Sequence, residues 1–359
     1  MDISKIDKNF AIETSFKEEV VLYDAENDPV KIHGIFKEHG KFVRMPYDIG
    51  KNVNSGVEYL LFNTAGGRAR FATDSPYIAI KSEMNGASHM THMAMAGSAG
   101  FDLYVEDDEF GETYVSTYRP PLDAKKGFDG IAHIDVSEKK MRTFTIHFPT
   151  YSCVNKLYIG LAPNSKLEKA KPYINTKPIV YYGSSITQGG CVSKPGDTYQ
   201  DFISRRFNVD YINLGFSGSA KGEDVISDYI KSLDMSIFVY DYDHNAPTPE
   251  HLKNTHEKMF LNIRKAHPDI PVIIMSRPRF ILNDHAMQCL EVIKQTYNNA
   301  VMRGDKNVYL LTGAELTALC KNEGTVDGTH PTSFGFFSMA KAVGDVIEDI
   351  ITRDPEVLK

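Results

Sequence analysis

The 359-residue chain has no tryptophan and only four cysteines, Cys153, Cys191, Cys289 and Cys320. The cysteines are far apart and fit no CxxC pattern. Free thiols in a reducing compartment are the expectation. No Lys/Arg run occurs and the net charge is −7, which argues against nucleic acid or an anionic membrane as the main partner. No window approaches the roughly 20 consecutive apolar residues that a bilayer-spanning helix needs. The first residues, MDISKIDKNFAIETSFKEE, contain no apolar core of a secretory signal. A cytoplasmic location is expected, although a secreted chain trimmed of its signal would read the same. The motif GxxxxGK(S/T) is also missing, which disfavours a phosphate-binding loop.

Two rhythms divide what is present. From about residue 18 to 165 the chain reads as short, partly alternating strands punctuated by Gly, Pro, Asn and Asp. They are Val20–Tyr23, Lys31–Phe36, Glu58–Phe62, Arg68–Ala72, Tyr77–Ser82, Phe101–Glu106, Glu112–Tyr118, Gly130–Asp135, Arg142–His147 and Val154–Ala162. This pattern predicts an antiparallel β-sandwich, jelly-roll-like, over residues 1–165. Residues 166–176 carry Lys166, Lys169 and Lys171 without a long apolar run and suit a linker.

From 177 to 359 strands alternate with longer helical segments. The strands are Lys177–Tyr182, Val209–Leu214, Ser236–Tyr242, Val272–Ser276 and Val308–Leu311. The helices are Thr198–Phe207 with Asp197 as N-cap, Glu223–Leu233, Pro249–His267, Asn283–Arg303, Ala314–Cys320 and Ser333–Arg353. Such βαβ alternation predicts a parallel five-stranded sheet in a flavodoxin-like three-layer α/β/α fold, with its site at the C-terminal strand ends.

Two short segments at such ends carry chemistry. Gly183-Ser184-Ser185-Ile186-Thr187-Gln188-Gly189-Gly190 presents Ser185 on a glycine-rich turn after an apolar strand. Taken alone, the turn is as readily a phosphate cradle as a nucleophile site. Asp327-Gly328-Thr329-His330-Pro331 puts an acid three residues before a histidine. Asp327 can fold back to accept the imidazole Nδ1–H, which frees Nε2 to take a serine proton. Two loops between them offer oxyanion donors: Asn213-Leu214-Gly215-Phe216-Ser217-Gly218 and Tyr240-Asp241-Tyr242-Asp243-His244-Asn245. The Ser185 N–H, the Gly218 N–H and the Asn245 amide are the candidates.

In this order the four segments resemble the four blocks of the SGNH (GDSL-type) hydrolases, over roughly residues 177 to 353. The resemblance implies Ser185 as nucleophile, His330 as base, Asp327 as its orienting acid, and Ser185, Gly218 and Asn245 as the oxyanion hole. Two departures stand out. Ser184 replaces the usual Asp, and Asp243-His244-Asn245-Ala246 replaces the usual Gly-x-Asn-Asp. Ahead of them, Gly100-Phe101-Asp102-Leu103-Tyr104 resembles the Gly-x-Asp-Leu-Tyr signature of a β-sandwich that precedes one SGNH branch, similar to bacterial carbohydrate acetyl esterases. The implied activity is hydrolysis of acetyl esters on xylo- or manno-oligosaccharides, with no metal or organic cofactor. With no Trp, any sugar-stacking surface must use Tyr or Phe. The alternatives are an acyltransferase or a lipid or aryl esterase with the same triad, and a non-catalytic carbohydrate-binding protein. Oligomeric state stays open.

Other residues are weaker candidates. His89 and His92 have metal-ligand spacing among Met84, Met90, Met93 and Met95, but a segment lining the junction of the two halves is the favoured reading. Arg277 follows a strand and either contacts substrate or pairs with an acid. Asp241 and Asp243 alternate at a strand end and share a face if the strand continues. Cys191 reads as a small packing residue.

Overall fold

The computed structural model describes residues 3–7, 11, 16–107, 109–134 and 139–359. The N-terminal half contains β1 (Val21–Asp24), β2 (Lys31–His33), β3 (Phe36–Glu38), β4 (Lys41–Val43), α1 (Tyr47–Gly50) and α2 (Ser55–Leu60). It continues through β5 (Arg68–Thr73), β6 (Tyr77–Met84), α3 (Met95–Ser98), β7 (Phe101–Asp107) and β8 (Gly111–Tyr118). It closes with β9 (Asp129–His133), β10 (Arg142–His147), β11 (Val154–Leu161) and β12 (Leu167–Glu168).

Two larger antiparallel sheets result, ordered β1-β11-β6-β9 and β12-β5-β10-β7-β8, with β2 also paired to β5, beside a two-stranded β3-β4 ribbon. Because side chains alternate across a strand, Ile78, Ile80, Leu157, Ile159 and Leu161 of the first sheet point at Phe71, Leu103, Phe144 and Ile146 of the second. They form one buried core, as expected of a sandwich; burying each such side chain contributes about 1.5–3 kcal/mol.

The second half contains β13 (Asn175–Gly183), α4 (Ser185–Gln188), α5 (Tyr199–Phe207), β14 (Val209–Gly215), α6 (Asp224–Lys231) and β15 (Ile237–Asp241). Then come α7 (Pro249–Ala266), β16 (Val272–Met275), α8 (Asp284–Met302), β17 (Val308–Leu311), α9 (Gly313–Leu316) and α10 (Ser333–Arg353). The sheet order is β14-β13-β15-β16-β17, all parallel. Strand alternation serves two helical layers. Val180, Tyr182, Phe238, Tyr240 and Ile274 pack with α6, α7 and α8. Ile179, Tyr181, Ile237, Val239 and Ile273 pack with α5 and α10. This is the expected three-layer arrangement. Among the described residues no helix is long and apolar enough to cross a membrane.

Local expectations fail in four places. Glu58–Phe62 is not a strand: its first part ends α2. Asn54 caps that helix by accepting from Val57 N–H at 2.9 Å, and Val57, Leu60 and Leu61 bury themselves beside Leu214 and Phe216 of the second half. Lys31–Phe36 is interrupted at Gly34, whose φ of +74° and close approach to the Gly66 carbonyl turn the chain between β2 and β3. Thr198, not Asp197, caps α5 through Asp201 N–H, while Asp197 pairs with Lys194. The helix expected at Ala314–Cys320 stops at Leu316. Beyond it Ala318 and Cys320 N–H bond three residues back, so the turns tighten. Of the expected strand Gly130–Asp135, Asp135 lies outside the described residues.

Polar contacts lock the two halves together. Asp102 on β7 is fully buried and accepts from His147 Nδ1 and from Gly196 N–H, each at 2.9 Å. His147 Nε2 lies 3.4 Å from Asp201 on α5. Asp102 is therefore a bolt between the halves rather than merely a polar strand residue. Replacing Asp102 by Ala leaves two buried donors unpaired, each costing about 1–3 kcal/mol. The expected outcome is a loss of about 3 kcal/mol or more, read as a lower urea midpoint at unchanged slope. A shift within about 0.5 kcal/mol, typical of neutral surface changes, would refute this role.

Candidate active site

The loops after β13, β14 and β15 and the segment before α10 emerge at one end of the sheet, beside the point where the strand order reverses. Gly183 ends β13 where no side chain fits: a Cβ there would sit 1.8 Å from Asp241 Oδ1 and 2.3 Å from Thr187 Oγ1. Ser184 follows with its hydroxyl accepting from Ile186 N–H at 3.2 Å, so it caps the one-turn helix α4. That role explains how Ser fills a position where the resemblance predicts Asp. Gly189, at φ +100°, ends the same helix.

Ser185 opens α4 with its Oγ 2.9 Å from His330 Nε2. His330 Nδ1 donates to Asp327 Oδ2 at 2.7 Å. Asp327 Oδ1 also accepts from His330 N–H at 2.8 Å and Thr329 N–H at 2.9 Å, so the carboxylate and imidazole are set in one tight turn. Burial pushes the Asp327 carboxyl up, but these N–H groups and the imidazole outweigh it and hold the group at about 2. Asp327 stays ionised near neutrality and His330 keeps Nδ1 as its donor. A hydroxyl, a base and an orienting carboxylate in this chain can pass the serine proton to Nε2.

The oxyanion candidates sit on connected loops. Gly218 lies at φ +66° with open space beside its Cα. Its loop is tied to the serine turn by Phe216 N–H to the Gly183 carbonyl at 2.8 Å and Ser217 N–H to Gln188 Oε1 at 3.0 Å. Asn245 Nδ2 donates one hydrogen to the Phe216 carbonyl at 3.0 Å, which holds its amide against the Gly218 loop and leaves a second N–H on that nitrogen.

Several weaker candidates are resolved. Arg277 pairs with Asp243 at 2.8 Å and bonds the Asp243 carbonyl at 2.7 Å, both side chains buried, so it braces the Asn245 loop. β15 ends at Asp241, which faces the serine turn and accepts from Thr187, while Asp243 pairs with Arg277. Cys191 is buried, and burial together with Asp327 pushes its thiol up to about 12, which makes it a poor nucleophile. His89 is not among the groups gathered here, but His92 is: its ring lies 5.6 Å from that of His330. Two neighbours carried no local signal. Tyr151 reaches from the N-terminal half to the Ser185 carbonyl at 3.3 Å. His244 lies near His330, and burial pushes its imidazole down to about 4, so it is neutral at pH 7. A large cleft lined by Val105, Tyr114, His133, Arg142 and Lys171 belongs to the sandwich and contains none of these groups.

Residues 176–348 match the GDSL-like lipase/acylhydrolase family, and residues 20–167 match the GxDLY N-terminus of SGNH-hydrolase-type esterases. No curated protein matches the chain. Among solved structures, a GDSL-like lipase described as putative, from Bacteroides ovatus, is 25% identical with a TM-score of 0.83, over 93% of this chain and 98% of that one. A salicylyl-acyltransferase, SsfX3, from a tetracycline biosynthetic pathway is 19% identical with a TM-score of 0.73, over 92% and 97%. An acetyl xylan esterase, Est2A, from Butyrivibrio proteoclasticus is 13% identical with a TM-score of 0.58, over 93% and 99%. The last two likenesses are of fold.

Asp241 beneath the serine turn generates a pH prediction. Burial, helped by the charge of Asp243, pushes its carboxyl up to about 8 against the hydrogen bonds of Thr187 and the Ser184 N–H. An acid raised in the folded state contributes stability in full below its unfolded value of 3.8 and loses it as pH rises through about 8. Asp241→Asn keeps an acceptor for Thr187 but cannot ionise. Its melting temperature should fall less than that of the parent from about pH 4 to about pH 8. Parallel curves for the two proteins would reject the assignment.

Proposed function

We propose, taking as premise that the chain belongs to the GDSL-like lipase/acylhydrolase family with a GxDLY N-terminal half, that it removes acetyl groups from the hydroxyls of xylo- or manno-oligosaccharides. The observation that carries this reading is the linked pair of hydrogen bonds from Ser185 Oγ to His330 Nε2 and from His330 Nδ1 to Asp327. Ser185 Oγ attacks the acyl carbon while His330 takes its proton. Asp327 holds the imidazole in the required tautomer and stabilises the imidazolium. The tetrahedral oxyanion is met by the Ser185 N–H, the Gly218 N–H and the second N–H of Asn245. His330 then protonates the departing sugar hydroxyl. Water, deprotonated by the same imidazole, releases acetate from the acyl-enzyme. No step calls for a metal or an organic cofactor.

The likeness of fold to an acetyl xylan esterase supports a sugar ester as substrate. A second reading has its own support: the acyltransferase shares the fold more closely, and transfer to an alcohol would use the same acyl-enzyme. Acetate release measured with and without an added alcohol acceptor separates the two.

Defined acetylated xylo- and manno-oligosaccharides, followed by mass spectrometry, should lose about 42 mass units per acetyl group, the C2H2O that leaves when an O-acetyl becomes a hydroxyl. Ser185→Ala should lower kcat by on the order of 10⁴-fold or more. Turnover of p-nitrophenyl acetate that survives this substitution would sink the triad, whereas a parent protein with no turnover would leave the carbohydrate-binding reading. Asn245→Ala should lower kcat by on the order of 10²–10³-fold, with substrate binding less affected. An unchanged kcat would remove Asn245 from the oxyanion hole.

A further inference from the structure

We propose that the active site also binds a soft divalent cation of the zinc type through His92, Cys191 and His330, and that occupancy switches the esterase off. One ligand atom from each of the three side chains lies within 4.8 Å of the other two. The three come from separate segments: His92 precedes α3 in the N-terminal half, Cys191 follows α4, and His330 precedes α10. Two imidazole nitrogens and one sulfur suit zinc, and harder ions such as magnesium or calcium prefer oxygen.

Three further observations favour a site over a chance cluster. His330 Nδ1 is committed to Asp327 at 2.7 Å, the carboxylate support that orients metal-bound imidazoles, so Nε2, which accepts from Ser185 Oγ, is the nitrogen left for a metal. Cys191 adopts φ +73°, uncommon for a residue with a side chain, directly after Gly190, which packs against His330 Cδ2. Its sulfur is thereby held near the imidazole. His92 is exposed, with its ring 5.6 Å from that of His330. Tetrahedral zinc with bonds of about 2.0–2.3 Å needs ligand atoms about 3.5 Å apart. Closing the site therefore asks for a movement of roughly 1 Å, which the exposed His92 can supply. On binding, the Cys191 S–H bond breaks, its proton leaves to solvent and an S–metal bond forms, with no change of oxidation state. The fourth position is left to water.

The consequence follows from one atom. His330 Nε2 accepts from Ser185 Oγ at 2.9 Å, and a nitrogen that ligates a metal cannot also take that proton. The cation is thus an inhibitor and not a cofactor. The inhibition rests on the triad reading above, whereas the binding does not.

Chelator-treated protein titrated with Co(II) tests the binding. A sulfur-to-cobalt charge-transfer band should appear in the parent and in Ser185→Ala, and should vanish in Cys191→Ser. Losing a group that merely hydrogen-bonds a metal ligand already weakens metal binding by about 10–100-fold. Removal of a ligand in His92→Ala should therefore weaken Co(II) binding by at least about tenfold. In the parent, zinc should inhibit p-nitrophenyl acetate hydrolysis and EDTA should restore it. Cys191→Ser and His92→Ala, each read against its own zinc-free rate, should need at least about tenfold more zinc for half inhibition. The proposal is overturned by absence of the band, by its persistence without Cys191, by unaltered zinc sensitivity in both variants, or by hydrolysis that requires zinc. A parent protein that hydrolyses no ester defeats the esterase reading instead, and the cobalt titration still decides the site.

Discussion

Two arginines buried between the halves set the geometry on which everything else depends. Arg68 donates to Asp210 at 2.7 Å and to the Tyr211 carbonyl at 2.8 Å, with its guanidinium 3.7 Å from the Tyr211 ring centre. Arg44 donates to the carbonyls of Gly215 and Leu60 and lies 4.6 Å from the centre of the Phe216 ring. Both side chains come from the N-terminal half, and their partners, Leu60 aside, lie at the two ends of β14. A buried charge stripped of its partners costs several kcal/mol, so a sliding of one half on the other is strongly opposed. The sandwich thereby reaches the very strand end from which the Gly218 loop departs.

That docking makes the site a joint product. The serine turn, the Asp327–His330 turn and the loops of Gly218 and Asn245 all belong to the parallel sheet. Tyr151 and His92 belong to the sandwich, yet one bonds the Ser185 carbonyl and the other stands beside the His330 ring. Beneath the turn, Gly183 lets the chain pass close to Asp241, and the buried carboxyl takes the hydroxyl of Thr187. A serine on so short a helix is positioned by what packs below it and beside it more than by its own backbone.

Much of the fold was legible because periodicity is a local property. β17 and α10 match their expected bounds, and the other parallel strands and long helices agree within about two residues. The failures have a common source. Glu58–Phe62 is a short apolar run that suits a strand or a helix equally, and its burial against the other half decided for helix. Arg277 had two plausible uses until Asp243 was found next to it. Asp102 looked like any polar strand residue because its partners, His147 and Gly196, are remote in sequence.

The sequence by itself determined the succession of strands and helices, the place of a serine on a strand-to-helix turn, and the pairing of Asp327 with His330. Each is encoded within a few residues, where spacing and hydrogen-bonding capacity leave few arrangements. Only the tertiary structure decided that Ser185 meets His330, that Arg277 serves Asp243 instead of a ligand, and that His92 and Cys191 gather around the same imidazole. Those contacts join separate segments of the chain, and they exist because close packing and the pairing of buried charges select one docking of the two halves.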